Sequence, residues 1–211
     1  MGDNEREALT GLSNNELIEL VMKLKSDLTK VTEDFRKITN LRLYHLERNQ
    51  NLSLQYGRRE SFEISGIPET IPGDKLEDEV IEIMKEAKVT VNRQSIKNMN
   101  ICAVHRLGNK KTTIVRVVNR KFAREALVNG KNLRASKRYG ENTSVYINDS
   151  FCQEFKFLTY VIRRALREKR IHRYKIRNGV PYVQMELSSN FVEIGHVWDL
   201  ENLKIPIPER K

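Results

Sequence analysis

The sequence contains little of what builds disulfide frameworks, zinc sites and membrane spans. Its two cysteines, Cys102 and Cys152, lie far apart and no Cys-x-x-Cys motif occurs, so neither a disulfide framework nor a zinc site is predicted. This cysteine usage fits a reduced intracellular setting. No run of about eighteen apolar residues occurs, so we expect no membrane span. The charged residues that follow Met1 precede no apolar core, which predicts no secretory signal.

Sequence motifs of common enzyme sites are also missing. There is no Walker-type loop and no Gly-x-Gly-x-x-Gly motif, and His105 and His172 have no cysteine or carboxylate at ligand spacing. The carboxylate run Glu77-Asp78-Glu79 lies at a predicted helix start, where the helix dipole accounts for it; a metal site is the minority interpretation. A nuclease whose active site combines acidic residues from separate parts of the chain is an open alternative, but no motif favours it. We therefore expect no enzyme activity, no cofactor and no small-molecule substrate.

Basic residues, in contrast, are in excess. The chain has 38 Lys and Arg against 28 Asp and Glu, a formal net charge of +10. Residues 1–56 carry a net −1 (8 basic, 9 acidic), residues 57–148 carry +7 (18 and 11) and residues 149–211 carry +4 (12 and 8). A nearly neutral arm thus precedes a basic body, which favours an acidic partner such as nucleic acid or a membrane surface. The alternative is a soluble protein that is merely basic.

Residues 13–56 have the pattern of a coiled-coil arm, and a flexible segment is predicted before them at 1–12. The Ser13-Asn-Asn-Glu16 stretch has capping-box spacing and predicts the start of a helix, which no Pro or Gly interrupts before residue 57. Apolar residues recur in alternating steps of four and three until the register breaks at Arg42. This heptad pattern favours self-association; the alternative is one amphipathic helix packed on its own body. The predicted oligomerisation stripe consists of Leu17, Val21, Leu24, Leu28, Val31, Phe35 and Ile38.

Residues 57–149 change to short strands and helices in the order βαββαβ. That order is the ferredoxin-like split βαβ arrangement, which RRM domains share. In it both helices cover one face of the sheet, and the first and third strands lie side by side at its centre. The strands are predicted at Ser61–Ser65, Asn100–Arg106, Thr112–Val118 and Val145–Ile147, and the helices after the caps Asp74 and Asn119, the second ending near Gly130.

Arg116 lies in the middle of the most strand-like run of the chain. The alternation predicts that Val115 and Val117 face the helices, while Ile114 and Arg116 face the open side of the sheet. There Arg116 can contact nucleic acid or form a cross-strand ion pair with Glu63, and the sequence leaves both open. The strand has no aromatic residue, so base stacking on the sheet, as in ordinary RRM domains, is not predicted.

Nine further basic residues flank Arg116 between positions 110 and 138, against a single acid, Glu125. Surface Lys and Arg usually form only a solvated face, but this imbalance favours contact with phosphates. The last four of the nine are predicted to lie in a loop that follows the second helix and ends at Tyr139. The predicted contacts in this segment are Lys110, Lys111, Arg116, Arg120, Lys121, Arg124, Lys131, Arg134, Lys137, Arg138 and Tyr139.

Residues 150–211 are predicted to form a basic α+β module. Its first helix, capped by Asn148 or Asp149, has an apolar stripe from Phe151 to Ala165 in steps of four and three. A second stripe on the opposite face is cationic with one aromatic residue. That pattern suits phosphates with a stacked base, and it favours nucleic-acid binding over a solvated face. The second stripe consists of Lys156, Tyr160, Arg163, Arg167 and Arg170.

A β-hairpin follows that helix in the predicted order. Asn178-Gly179 is the residue pair of a type I′ turn, and it lies between arms in which apolar residues alternate. Pro181, just after the turn, predicts an edge strand. Ile194–Leu203, with the only tryptophan, Trp198, is predicted to close a small core. The predicted fold class of the chain is α+β: a coiled-coil helix, an RRM-like domain and a small α+β C-terminal domain.

Four segments together resemble the first open-reading-frame protein of LINE retrotransposons. They are RRESFEISGIPE (Arg58–Glu69), HRLG (His105–Gly108), TIVRVVNRKFAREAL…GKNL (Thr113–Leu133) and VYINDSF (Val145–Phe151). Baculovirus few-polyhedra proteins are similar in the step from the last segment to a helix and in the hairpin at Tyr174–Gly179. The order of coiled coil, RRM-like domain and C-terminal domain extends the resemblance over nearly the whole chain.

This resemblance implies a homo-oligomeric, usually trimeric protein that binds single-stranded RNA and acts as a nucleic-acid chaperone in a ribonucleoprotein particle. Single-stranded DNA is the alternative ligand. The implied location is cytoplasmic, in ribonucleoprotein granules, with the nucleus as the alternative. The rival function is a viral or cytoskeletal adaptor that binds protein partners through its coiled coil. The RNA contacts implied by matching motif positions are Arg58, Arg59, Arg106, Arg116, Lys131, Arg134 and the set Arg163, Arg164, Arg167, Arg170, Arg173, Lys175 and Arg177.

Overall fold

The computed structural model describes residues 13–91, 94–97, 100–108, 111–141 and 143–209. Their fold is α+β, with one long N-terminal helix, a four-stranded antiparallel sheet and a three-stranded sheet, so the predicted fold class is confirmed at that level. The chain divides after Glu47 into two units, of which the second comprises residues 48–211. The flexible segment predicted at 1–12 and the predicted contact Lys110 lie outside the described residues.

Helix α1 spans Asn14–Tyr56 without a break. Its predicted start is confirmed: Ser13 N donates to Glu16 Oε2 at 2.8 Å and Glu16 N donates to Ser13 Oγ at 3.4 Å, the two bonds of a capping box. Leu17 is half-buried, and the other six side chains of the oligomerisation stripe are 55–72% exposed. The stripe is therefore an uncovered apolar surface in the described part of the chain.

The first part of the second unit contains a four-stranded sheet, two helices and a separate two-stranded pair. In chain order these elements are β1 (Ser61–Ser65), α2 (Leu76–Glu86), β2 (Thr90–Val91), β3 (Gln94–Ser95), β4 (Ile101–Arg106), β5 (Thr112–Val117), α3 (Arg120–Asn129) and β6 (Tyr146–Asp149). The strand order is β4-β5-β1-β6, and all neighbours are antiparallel. The predicted first and third strands, β1 and β5, thus lie side by side at the centre, as expected. The small hairpin of β2 and β3 has no counterpart among the predicted elements.

The alternation of β1 and β5 produces the core of this sheet. Phe62, Ile64, Val115 and Val117 are fully buried, and they pack with apolar residues of α2 and α3. Arg116, between the two valines, is exposed on the other face, as predicted. Burying an apolar side chain of this size stabilises the fold by about 1.5–3 kcal/mol, so four such residues decide which face of the sheet packs on the helices.

The two predicted helix caps of this sheet have different outcomes. Asp74 does not cap α2, because a 3₁₀ turn at Gly73–Lys75 contains it and leads directly into the helix. Asn119 does cap α3, since its Oδ1 accepts a hydrogen bond from Lys121 N at 2.9 Å. Helix α3 ends before Gly130, as predicted, and a 3₁₀ helix at Gly130–Ala135 occupies the beginning of the predicted loop.

The C-terminal elements are α4 (Gln153–Arg167), β7 (Arg173–Arg177), β8 (Val180–Gln184), β9 (Val192–Glu193) and α5 (Val197–Asn202). The apolar stripe of α4 is confirmed, because Phe155, Leu158, Ile162 and Ala165 are buried. The predicted cap is wrong: β6 continues through Asn148 and Asp149, which pair with β1, and α4 begins only after Cys152. The predicted core at the end of the chain is confirmed by the burial of Ile194 and Leu200.

The hairpin of β7 and β8 has the predicted turn but not the predicted place in its sheet. Asn178 and Gly179 both have positive φ, 54° and 77°, as a type I′ turn requires. Strand β8 is the middle strand of the order β7-β8-β9, so the prediction that Pro181 marks an edge strand is wrong. Pro181 lies at the end of the pairing with β9, where its carbonyl still accepts a hydrogen bond from Ile194 N at 2.9 Å and only its N–H is missing.

The last turns of α1 belong to the second unit and pack on its C-terminal part. Arg48 Nη2 donates to Glu193 Oε1 at 2.8 Å, and Asn51 Nδ2 donates to the Gly195 carbonyl at 3.2 Å. Gln55 is 2% exposed; its Nε2 donates to the Ser150 carbonyl and its Oε1 accepts from Cys152 N, each at 3.0 Å. These bonds attach the end of the helix to the segment that connects β6 with α4.

Candidate nucleic-acid interface

A groove in the second unit collects basic side chains from three separate segments of the chain. Its volume is about 640 Å³, and its walls include the turn after α1, the start of α3 and the β7–β8 turn. Its only carboxylate is Asp149. We call its six cations the basic groove: Arg58, Arg59, Arg120, Lys121, Arg124 and Arg177.

The turn after α1 holds the first two of these cations. Arg58 N donates to the Gln55 carbonyl at 3.0 Å, and Arg58 Nη1 donates to Ser150 Oγ at 3.2 Å. The Arg59 guanidinium carbon lies 4.1 Å from the ring centre of Tyr56, a cation–π contact. Arg59 Nε is buried and has no hydrogen-bond partner among the described residues. The guanidinium of Arg59 is thus held against the Tyr56 ring at the edge of the groove.

Helix α3 supplies three cations in its first two turns. Arg120, Lys121 and Arg124 are exposed, and their side chains form no hydrogen bond or ion pair with any described residue. The first turn of α3 contains no acid. Cations at a helix N-terminus oppose the helix dipole, which costs about 0.3–1 kcal/mol each. The fold does not compensate this cost, so the arrangement is explained best by an anionic ligand.

The carboxylate of Asp149 faces the same groove from the end of β6. Burial raises its pKa above the ordinary value of 3.8, and the positive charge of Arg163 opposes that rise. The side chain is half-buried and is surrounded mainly by cations. The groove therefore stays strongly positive at neutral pH even with Asp149 ionised.

The predicted cross-strand pair between Arg116 and Glu63 is not formed. On β1, Ser61 is opposite Arg116, whereas Glu63 is opposite Ile114. Glu63 is 9% exposed and binds Lys156 Nζ of α4 at 3.0 Å. Arg116 instead lies 3.8 Å from Glu60, at the limit of an ion pair between exposed side chains. Arg116 is therefore largely available on the open face, while Lys156 is engaged by Glu63.

Several other predicted contacts are occupied within the fold. The guanidinium of Arg106 donates to the carbonyls of Ile67, Pro68 and Ile71 at 3.2, 2.6 and 3.2 Å, which holds the loop after β1. Further ion pairs engage Lys137 with Glu141, and Arg164 and Arg170 with Glu168.

Arg138 and Tyr139 are likewise occupied, because both bind one carboxylate of α2. Arg138 Nε lies 2.5 Å from Glu79 Oε1, and the Tyr139 hydroxyl donates to the same oxygen. The hydrogen bond from Arg138 lowers the pKa of Glu79, against the opposing effect of burial. Burial raises the pKa of Tyr139, and so does its bond to Glu79. Both side chains thus hold the segment after α3 against α2.

The remaining predicted contacts lie outside the basic groove. Lys111, Lys131 and Arg134 are exposed and have no partner among the described residues. On the hairpin, Lys175 Nζ lies 3.7 Å and the Arg173 guanidinium carbon 5.2 Å from the ring centre of Phe191. No local pattern pointed to Phe191, because it is distant in the chain from both cations.

A second concave surface lies on α4, on the side away from its buried stripe. It has a volume of about 390 Å³. Arg163 Nε donates to the Tyr174 hydroxyl at 3.2 Å, and Tyr160 is 51% exposed. We call this surface the α4 slot, lined by Lys156, Tyr160, Arg163, Leu166, Arg167 and Tyr174. The sequence predicted four of these residues; Tyr174 was placed only in the hairpin.

Comparison with known proteins does not assign the chain to a family. No protein-family model matches the sequence, and a search of curated proteins finds no match. Within the described residues, no helix is both long and apolar enough to cross a membrane. No group of three or more His, Cys, Asp or Glu side chains in that part of the chain is arranged to hold a metal ion.

Proposed function

We propose that this chain is a non-enzymatic protein that binds single-stranded RNA through the basic groove and self-associates through the apolar stripe of α1. The observation that carries the proposal is the groove itself, where three segments bring six cations to one surface and the end of β6 adds one carboxylate. Phosphates bound by arginine and lysine supply most of the affinity of such sites and little sequence preference. We expect a chaperone-like coat on RNA, with low sequence specificity.

The state of the groove cations supports an external anion. Arg120, Lys121 and Arg124 are exposed and have no partner in the described fold. By contrast, Arg106 and Arg138 are equally basic in the sequence but are occupied by carbonyls and carboxylates. Arg106 and Arg138 are therefore bound within the fold, whereas the three cations of α3 are available to a ligand.

Self-association is supported by the uncovered stripe of α1. Six of its apolar side chains are more than half exposed, and a two- or three-stranded coiled coil would bury them. Joining several grooves in one oligomer raises the apparent affinity for a long strand, since each later contact becomes intramolecular. We propose homo-oligomerisation on this basis, with a trimer implied by the resemblance to LINE first open-reading-frame proteins.

The finer family features belong to the same proposal. The strand order β4-β5-β1-β6, with two helices on one face, supports an RRM-like domain. We propose membership of the LINE first open-reading-frame family, with few-polyhedra proteins as relatives, on the motifs quoted above. A cytoplasmic ribonucleoprotein follows from that proposal.

The test compares two variants of equal charge. In the groove variant Arg120, Lys121 and Arg124 are replaced by Gln; in the control Lys75, Lys97 and Lys204, which are exposed and outside the groove, are replaced by Gln. Each variant has a net charge of +7, three below the wild-type value of +10. Binding to a labelled single-stranded RNA is measured across a salt series.

The groove variant should bind more weakly, with a log–log salt slope about two units shallower, because each phosphate contact contributes about 0.7. The control should keep nearly the wild-type slope. Equal losses in both variants would mean that net charge, and not the groove, determines binding, and would refute the proposal.

An adaptor for protein partners is the second candidate, favoured by the same uncovered stripe. The stripe suits helices of other proteins as well as further copies of this chain. A stoichiometric heteromeric partner that stays bound after nuclease treatment, in a chain that does not bind RNA, would support the adaptor over the RNA-binding proposal.

A further inference from the structure

We propose that the α4 slot binds one unpaired nucleobase, stacked on Tyr160, with a neighbouring phosphate on Arg163 and Arg167. The inference rests on the proposed function and adds to it the part of the surface that distinguishes a single strand from a duplex. The basic groove can attract any phosphate backbone. A slot that accepts a base requires that base to be free of pairing and stacking.

The position of Tyr160 is the first argument. One face of helix α4 is buried in the core. Tyr160 lies on the opposite face, so its ring does not pack in the core. The phenol ring is half exposed and stands between Lys156 and Arg163, each within four residues, so all three project from one side of the helix. A ring flanked by cations is the arrangement that single-strand binding proteins use for stacked bases.

The second argument is that the cations of the slot are unequal. Lys156 is bound to Glu63 at 3.0 Å, so the charge at that end is largely neutralised. Arg163 is held by its bond to the Tyr174 hydroxyl, which fixes its guanidinium. Its charge acts on the carboxylate of Asp149, but its terminal nitrogens form no ion pair with a described residue and can bind a ligand. Arg167, one turn further on, has no ion pair with any described residue. A phosphate therefore binds at the Arg163 end and the base lies over Tyr160.

The shape of the slot is the third argument. Tyr160, Leu166 and Tyr174 supply apolar surface around an open concave space of about 390 Å³. No acidic side chain lines it. Stacking depends on the π-face that all bases share, so the slot should accept purines and pyrimidines alike.

Another exposed aromatic provides a matched control. Tyr146 of β6 is 52% exposed, nearly the same as Tyr160. It lies on a strand whose next residues are Ile147, Asn148 and Asp149, so no arginine flanks it there. If exposed tyrosines bound bases without regard to context, the two would contribute equally.

The experiment measures the affinity of the full chain for a mixed-sequence single-stranded RNA, for the same strand with abasic positions, and for a duplex of that sequence. The variants are Tyr160→Ala, Tyr160→Phe and Tyr146→Ala, each checked for an unchanged circular dichroism spectrum. Tyr160→Ala should weaken binding of the intact strand about 5- to 150-fold, the usual effect of losing one stacked base, at an unchanged salt slope. Tyr160→Phe should retain wild-type affinity, because it retains the ring, and Tyr146→Ala should lose less than 2-fold.

The abasic strand gives a test that does not depend on a variant. The wild-type chain should bind it more weakly than the intact strand, and Tyr160→Ala should cause little further loss on it. The duplex affinity should not change with Tyr160→Ala. Equal losses on intact and abasic strands, or no larger loss than in Tyr146→Ala, would overturn the slot. A wild-type chain without salt-dependent binding to any strand would instead refute the proposed function.

Discussion

Replacing Gln55 by Ala should destabilise the second unit far more than an ordinary helix substitution. The Gln55 side chain is 2% exposed, and its amide forms one hydrogen bond with the Ser150 carbonyl and one with Cys152 N, both 3.0 Å long. Ser150 and Cys152 are themselves only 2% and 6% exposed, so water cannot easily replace the lost bonds. Gln55 also fills the space beside Gly179, where an added Cβ would lie 2.5 Å from Nε2.

The expected loss follows from these two bonds. Each buried backbone group left without a partner costs about 1–3 kcal/mol, so the loss of both partners should lower the free energy of unfolding by about 2–6 kcal/mol. With a urea m-value of about 2–3 kcal/mol/M, the unfolding midpoint should fall by about 1–3 M. The assay is urea unfolding followed by circular dichroism, at one protein concentration because the chain is expected to self-associate.

Gln50→Ala is the matched control for this prediction. Gln50 lies in the same helix, is exposed, and undergoes the same change in helix propensity. It should change the free energy of unfolding by less than about 0.5 kcal/mol. A Gln55→Ala variant within that range of the control would refute the reasoning, because the end of α1 would then not depend on these bonds for its attachment to the C-terminal segment.

Three further predictions concern the arm and the first sheet. Leu24→Asp should lower the oligomer mass in light scattering, whereas Ser26→Asp, on the polar side of the same helix turn, should not; equal masses in the two variants would refute the assigned stripe. Glu79→Gln should reduce stability at pH 7, because the lowered pKa of Glu79 means that its ionised form stabilises the fold. This stabilisation is present above the ordinary pKa of 4.5 and is lost as the pH falls through the lower pKa of the folded state. The difference in stability between Glu79→Gln and wild type, measured by urea unfolding, should therefore shrink on acidification. A difference that stays constant with pH would contradict the assignment. Asn119→Ala should cost about 1 kcal/mol in the same assay through loss of the cap of α3, and no change would show the cap to be unimportant.

The features that were predicted correctly from the sequence are determined by residues close together in the chain. The capping box at Ser13, the alternation of Val115 and Val117, and the Asn178-Gly179 pair each determine structure through neighbouring residues. The failures depend on distant partners. Pro181 lies in a middle strand because β9, more than ten residues later, pairs with β8.

The candidate site shows the same division. All six groove cations were among the contacts predicted from the sequence, but the sequence could not separate them from arginines that bind other residues of the fold. Arg120 and Arg138 both lie among other basic residues in the sequence. Of the two, only Arg138 forms an ion pair with a carboxylate, that of Glu79, which belongs to a helix almost sixty residues earlier. Gln55 gave no signal at all, because its partners lie in the segment between β6 and α4.

The most direct test of the central claim is the salt dependence of RNA binding by the wild-type chain, with a single strand and a duplex of the same sequence. If the six cations of the basic groove each neutralise one phosphate, the log–log slope for the single strand should be about −4, and the single strand should bind more tightly than the duplex. A slope near zero, or binding that is absent at low salt, would contradict the account and leave the basic surface to a protein partner.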